Sequence, residues 1–251
     1  MRGFSLEGKT SIVTGGSHGI GKATALAFAE AGANTVIASR NLPDLEEVAA
    51  EIRGYGRRCL AVRADIGQKD DINNLVETTI NEFGTVDVLV NNAYTVVVSP
   101  LLELHEDDWD RTINTDLKGY YLCSQAVGKV MTVKRSGSII NLITGNLAKL
   151  SPHVGAYMIA KAGIAMLTKV LAVELGEYGI RVNAIAPGIV KTRFSYPMWR
   201  TDEARKNWEE QIPLGRLGQP DDMARVALFL ASEASSYITG TTIYADGGMQ
   251  A

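Results

Sequence analysis

The chain has 251 residues and carries 25 Lys+Arg against 28 Asp+Glu, a formal net charge of −3. With 46% hydrophobic and 21% charged residues it has an ordinary globular composition, which excludes disordered, collagen-like and membrane-dominated classes. Two cysteines, Cys59 and Cys123, exclude a disulfide scaffold and a Cys-rich metal site, and three scattered histidines give no metal motif, so no metal is expected. The absence of basic runs argues against nucleic acid as a partner. Apolar runs such as 138–143 and 226–231 fall short of a bilayer span, and the first nine residues hold no apolar export segment. A soluble, cytoplasmic protein with no membrane partner is expected.

In chain order, residues 9–14 form a short β-branched run that stops at Gly15-Gly16. Residues 20–31 place Ile20, Ala23, Thr24, Ala27, Phe28 and Ala31 at helical spacing, with Gly32 as the C-cap. A strand is predicted over 35–38, a helix opened by Pro43 over 44–53, and a third strand over 59–64. A helix over 71–83, closed by Gly84, leads to a fourth strand over 86–90. One long helix covers about 112–133, followed by a fifth strand over 138–143. The pattern ends with a helix over 156–178 stopped by Gly179, a strand over 181–186, a helix over 221–231 and a last strand over 241–244.

Short apolar runs alternating with helices predict an α/β fold: one doubly wound, Rossmann-type domain over 1–251, with a seven-stranded parallel sheet covered by helices on both faces. The least regular stretch, 191–218, carries Tyr196, Trp199 and Trp208 and is expected to be a substrate lid.

Between the first strand and first helix stands Thr14-Gly15-Gly16-Ser17-His18-Gly19-Ile20-Gly21. Glycines there let the backbone turn tightly and approach a pyrophosphate, whose charge sits at the helix N-terminus. The spacing G-x-x-x-G-x-G differs from the G-x-G-x-x-G fingerprint, so the position after strand one carries the reading. The second strand ends Ala38-Ser39-Arg40-Asn41, with no acid before Asp44 to hold ribose hydroxyls. Arg40 offers a permanently charged fork for a 2′-phosphate, Ser39 leaves room for it, and His18 adds a donor nearby. Against the alternative of a solvated surface charge, NADP(H) is favoured over NAD(H).

Tyr157 and Lys161 lie four residues apart, on one helix face. A neighbouring cation is expected to lower a phenol from its usual pKa of about 10 and make it a proton donor to a carbonyl receiving hydride. Alone, that spacing is common. Together with Thr14–Gly21, Asp65-Ile66, Asn91-Asn92-Ala93, Arg181 to Gly188 and Asp246-Gly247-Gly248, in that order along nearly the whole chain, it resembles the single-domain branch of the short-chain dehydrogenase/reductase family. The turn at Ser39 to Asn41 and the segment Ile212 to Arg216 resemble sugar-acid (gluconate-type) dehydrogenases and 3-oxoacyl-carrier reductases within it.

The resemblance implies Tyr157 as general acid/base, with Lys161 holding the nicotinamide ribose and lowering the tyrosine pKa. It implies contacts of Asp65 and Ile66 with adenine and of Asn92 with the ribose side. Val190 and Thr192, after Pro187-Gly188, would meet the nicotinamide amide and phosphates. It also implies a homotetramer built through the two long helices.

Three positions depart from the family. The substrate-orienting serine is replaced by Thr144, whose methyl adds bulk and stiffens χ1. Asp116 stands where an asparagine helps position a relay water, and would interact directly with Lys161; Asn114 is the less favoured alignment. Tyr94 stands where glycine usually follows Asn-Asn-Ala.

The bland readings set Cys59 and Cys123 as buried apolar groups, His105 as solvated, and His153 as a loop residue rather than a substrate contact. The expected activity is NADP(H)-dependent interconversion of a ketone and a secondary alcohol. The alternatives are an NAD-linked alcohol or polyol dehydrogenase and a nucleotide-binding protein of this fold with little turnover.

Overall fold

The computed structural model describes residues 3–145 and 152–251. Seven strands form one sheet: β1 (Thr10–Thr14), β2 (Asn34–Ser39), β3 (Cys59–Arg63), β4 (Val88–Asn91), β5 (Gly137–Leu142), β6 (Ile180–Pro187) and β7 (Thr242–Ala245). Their spatial order is β3-β2-β1-β4-β5-β6-β7, and every pair is parallel. Central strands read as unbroken apolar runs because both faces are covered. Ile12, Val13, Val36, Ile37, Leu89 and Val90 are all essentially inaccessible.

One face carries α1 (Gly19–Glu30), α2 (Leu42–Gly54) and α9 (Pro220–Ala231), whose Phe28, Leu45, Ile52, Met223 and Leu230 share a core with Val13 and Ile37. The other carries α3 (Lys69–Phe83), α5 (Gly119–Lys134) and α6 (Gly155–Leu175), where Leu75, Tyr120, Val127 and Ile164 pack with Ile12 and Val182. Successive strands run outward from β1 to β2 and β3, then restart from β4 on β1's other side. That reversal opens a crevice at the strand C-termini, where ligands bind in doubly wound sheets.

Gly84 and Gly179 close their elements in the left-handed region, as read from the sequence. At α1 the C-cap is Ala31, and Gly32 takes φ +107 one residue later, where a side chain would meet Glu7.

The long helix expected over 112–133 differs in the structure. It begins earlier as α4 (Glu106–Ile113), passes through a π-helical turn at Asn114–Lys118, and continues as α5. The segment Glu106–Ile113 is strongly polar on average, with four acids, of which Glu106, Asp107 and Asp108 sit in the first turn, where the helix dipole favours them. The stretch 191–218 is also more regular than its sequence, holding α7 (Tyr196–Trp199) and α8 (Asp202–Gln211). The Thr201 hydroxyl caps α8 by accepting from the Ala204 N–H at 3.1 Å.

By length and composition one helix among the described residues, Gly155–Tyr178, could cross a membrane, with a mean hydropathy of 1.5. It is longer than the apolar runs considered above. It packs along β6, burying Ile164, Thr168 and Ala172.

Candidate active site

A cavity of about 730 Å³ lies along the C-terminal ends of the strands. Its floor begins at the glycine turn after β1. Gly15 and Gly19 adopt φ +66 and +54, which side chains rarely tolerate. A Cβ on Gly21 would sit 2.2 Å from the Gly15 carbonyl oxygen and 2.5 Å from Asn92 Nδ2. The turn is therefore folded too tightly for any other residue, and the N-terminus of α1 opens directly behind it. Asn92 pins it: its Nδ2 donates to the carbonyls of Thr14 at 2.9 Å and Gly15 at 3.2 Å. Asn92 thus shapes the turn as well as lining the cavity beside Gly15, Gly19 and Ile20.

Around the turn the polar groups are arranged unevenly. Ser17 Oγ lies 3.0 Å from His18 Nδ1, while His18 Nε2 lies 3.1 Å from an Arg193 nitrogen and 3.6 Å from Asp44 Oδ2. His18 is thereby bound into a bridge to the far side of the cavity rather than standing as a free donor beside Arg40. Ser39 Oγ closes a local turn, donating to the Asn41 carbonyl and accepting from its N–H. Arg40 is exposed, lines the cavity and has no ion pair among the described residues. Asp65 and Ile66 also line it, with Asp65 Oδ1 accepting from the Gly67 N–H.

On the opposite wall, Pro187, Gly188, Val190 and Thr192 follow β6. A Cβ on Gly188 would meet Asp246 Cα at 2.8 Å, so Pro187-Gly188 packs closely against the Asp246-Gly247-Gly248 segment. Thr192 Oγ1 lies 3.3 Å from Ser195 Oγ, and Ser195 also binds the Val190 carbonyl. Glycine cradle, helix N-terminus, free guanidinium and cavity size together fit a nicotinamide dinucleotide.

At the other end, α6 presents Tyr157 and Lys161 on one face. Tyr157 is hydrogen-bonded to the side chain of Thr144, just past β5. Lys161 is buried, and its Nζ donates to the Leu142 carbonyl at 3.1 Å and to Tyr120 Oη at 3.2 Å. Asp116 Oδ2 lies 3.4 Å from the same nitrogen, and Asp116 Oδ1 accepts from the Thr95 N–H at 2.6 Å. The π-helical turn makes this possible by directing Asp116 inward to complete burial. Such turns recur at functional sites. Gly119 follows because a Cβ there would lie 2.6 Å from the Ile66 carbonyl oxygen.

The electrostatics differ from the sequence expectation. Burial raises the Tyr157 phenol above its ordinary value, the Asp116 carboxylate and Tyr94 raise it further, and the Thr144 hydrogen bond opposes them. The Lys161 ammonium lies 5.4 Å from the Tyr157 ring centroid while it pairs with Asp116 and donates to Tyr120 and Leu142. Burial also lowers Lys161 and raises Asp116, and each partner opposes the other's shift. Removing two charges from water works against the pair that their proximity favours.

Comparison with known proteins agrees with this geometry. A protein-family model described as enoyl-(acyl carrier protein) reductase matches residues 15–250. The chain belongs to the short-chain dehydrogenase/reductase family. It is an oxidoreductase of that family. It is 40% identical over 249 residues to a (2S)-[(R)-hydroxy(phenyl)methyl]succinyl-CoA dehydrogenase subunit of Thauera aromatica, covering 98% of each chain. It is also 40% identical over 242 residues to a 3-oxoacyl-[acyl-carrier-protein] reductase of Staphylococcus epidermidis, covering 96% of this chain and 98% of the other. Among solved structures, a gluconate 5-dehydrogenase from Burkholderia cenocepacia, in complex with NADP and tartrate, superposes with TM-score 0.93 at 31% identity over 98% and 97% of the chains.

Several features of this short-chain dehydrogenase/reductase escaped sequence reasoning. Tyr120 contacts Lys161 from the adjoining helix, visible in sequence only as one aromatic in a helix. Asn91 Nδ2 donates to Ser124 Oγ and Asn141 Oδ1, and Asn141 donates on to Thr168, forming a buried polar ladder under the site. Phe194 joins Tyr94 and Tyr157 in an aromatic cluster. His153 is exposed and outside the cavity lining, with φ +64, and its carbonyl accepts from the Ser99 N–H. Cys59 and Cys123 are buried, with both thiols pushed up to about 12 by burial, as befits inert apolar groups.

Proposed function

We propose that the protein interconverts a ketone and a secondary alcohol with NADP(H) as cofactor, Tyr157 being the general acid/base and Thr144 the substrate-orienting hydroxyl. The observation that carries the reading is the hydrogen-bonded Tyr157–Thr144 pair above the buried Lys161, at the inner end of a cavity with a glycine cradle at its other end. The bound nicotinamide supplies or takes the hydride. Tyr157, held as a neutral phenol by burial, gives its proton to the oxygen of a ketone being reduced, while Thr144 holds that oxygen by a second hydrogen bond. Lys161 and Asp116 form the polar floor behind the phenol.

The unpaired Arg40 and the lack of an acid at the end of β2 support NADP(H) over NAD(H), as does NADP in the gluconate 5-dehydrogenase structure. Exposed Tyr121 and Val133 on α5, and Met166, Val170 and Val173 on α6, support a homotetramer formed through these helices. Residues 191–218 act as the substrate lid, within a single catalytic domain spanning the chain, and the protein works in the cytoplasm.

The test is consumption of NADPH and NADH against a panel of ketones, 3-oxoesters and keto-sugars, with Tyr157→Phe alongside. NADPH-dependent turnover is expected, falling by about 10²–10⁴-fold in the variant. Undiminished turnover in Tyr157→Phe would overturn the assignment. Cofactor binding with no turnover of any substrate would favour the nucleotide-binding alternative.

A further inference from the structure

We infer that the substrate end of the cavity is built for a ketone carrying a flat, apolar ring system within one or two carbons of the carbonyl. The inference rests on the ketone–alcohol reading above and adds its substrate class. Three rings from three separate elements converge there: Tyr94 after β4, Tyr157 on α6 and Phe194 after β6. Tyr94 and Phe194 meet edge-on with centroids 5.0 Å apart at 68°, and their centroids lie 6.5 and 6.3 Å from that of Tyr157. These are the separations at which aromatic pairs attract, and they leave the wall shaped in planes.

Neither Tyr94 nor Phe194 is spent on the protein core. Each remains about two-fifths exposed, at 41% and 40%, while lining the cavity. Large apolar surface left open beside a reacting hydroxyl is the feature that calls for a covering group. Val96, Val98 and Met198 continue the apolar lining, and the thioether adapts to ring edges.

Charge points the same way. A sugar acid or a phosphate-bearing carrier needs a cation at its anionic group, and its hydroxyls need replacement hydrogen bonds. Among the described lining residues, the Lys161 ammonium is committed to Leu142, Tyr120 and Asp116. The Arg193 guanidinium is turned to His18, and Arg40 stands at the end of β2 with Ser39. Beside the rings, Thr144 and Tyr157 serve the carbonyl oxygen itself. A flat apolar ring loses nothing on entering such a wall and gains edge and face contacts.

The experiment compares 2-tetralone, 2-butanone and 5-ketogluconate as NADPH-dependent substrates of the wild type, Tyr94→Gly, Phe194→Ala and Phe194→Trp. In parallel, saturation-transfer NMR follows 2-tetralone binding to the NADP-saturated proteins. The wild type is expected to prefer 2-tetralone over both other ketones by at least about tenfold in kcat/KM. Tyr94→Gly and Phe194→Ala should each cut the 2-tetralone to 2-butanone ratio by about fivefold, mainly through KM, with Phe194→Trp restoring it. Preference for 5-ketogluconate, or an unchanged ratio in both truncated variants, overturns the inference while leaving the reductase reading intact. Ring binding weakened by the variants but without turnover of any ketone sinks the reductase reading and the ketone assignment with it, leaving only an aromatic-binding wall. Neither binding nor turnover overturns both.

Discussion

The two ends of the cavity are built on different principles. The dinucleotide end is backbone: a turn with φ values only glycine adopts readily, clamped by Asn92 and lying on the most buried strands of the sheet. The substrate end is side chains from several elements, and one of its walls rests on a small assembly where Ile189, Ile212 and Leu217 pack with Met198, Trp199 and Trp208. Trp199 Nε1 donates to Ser195 Oγ and Trp208 Nε1 to the Met198 carbonyl, tying α7 and α8 to the β6 exit. A backbone cradle recognises what every dinucleotide shares. A side-chain wall can change one residue at a time, so the proposed substrate specificity is assigned to it.

That contrast can be broken or sharpened by substitution. The largest effect is expected from Gly21→Ala, whose Cβ would lie 2.2 Å from the Gly15 carbonyl oxygen. Relief requires the turn itself to move, so a loss of about 1–3 kcal/mol in stability and at least about tenfold weaker dinucleotide binding should appear in thermal melts and cofactor titration. Arg40→Ala comes next. Losing a charge-assisted contact to a 2′-phosphate should cut NADPH affinity by about tenfold to a hundredfold while leaving NADH affinity unchanged, as read by fluorescence titration. An equal loss for both cofactors would remove Arg40 from the discrimination.

Trp208→Ala tests the separateness of the two ends. The partly buried indole leaves a cavity costing about 1–3 kcal/mol, local to residues 191–218. Limited proteolysis within 191–218 should accelerate and substrate KM should rise while the dinucleotide Kd holds; a matching rise in that Kd would show the ends to be coupled. The smallest effect is expected from Asp116→Asn. The Asp116 carboxylate disfavours the Tyr157 phenolate, so removing its charge lowers the phenol's pKa. Alcohol oxidation needs the phenolate as proton acceptor, and its rise with pH should therefore begin at a lower pH in the variant. A profile displaced to higher pH would contradict this arrangement.

The same division governs what could be read before the structure. The sheet was legible because parallel strands are buried on both faces and announce themselves as apolar runs. The glycine turn was legible because its residues have no substitutes. Tyr157 and Lys161 were legible from a helical spacing that places both on one face, and the structure brings Thr144 to Tyr157 and Asp116 to Lys161. Helix α8 was not, since it has no buried residue and owes its start to Thr201. Nor was α4, whose Trp109 and Ile113 are its only large apolar residues among four acids, too short a pattern to stand out. Residues 146–151, between Thr144 and Tyr157, lie outside the described residues.

By itself, the order of residues determined the doubly wound class, the family, the glycine cradle and the pair on α6, because each follows from short-range pattern or fixed spacing. Only the tertiary structure decided the direction of the Tyr157 shift. That depends first on the burial of the phenol and then on Asp116 and Tyr94 being folded against it. It also decided that Tyr94 and Phe194, 100 residues apart in number, stand 5.0 Å apart as one aromatic wall. Electrostatic shifts and ring contacts are sums over neighbours distant in sequence, and only the folded chain specifies which neighbours those are.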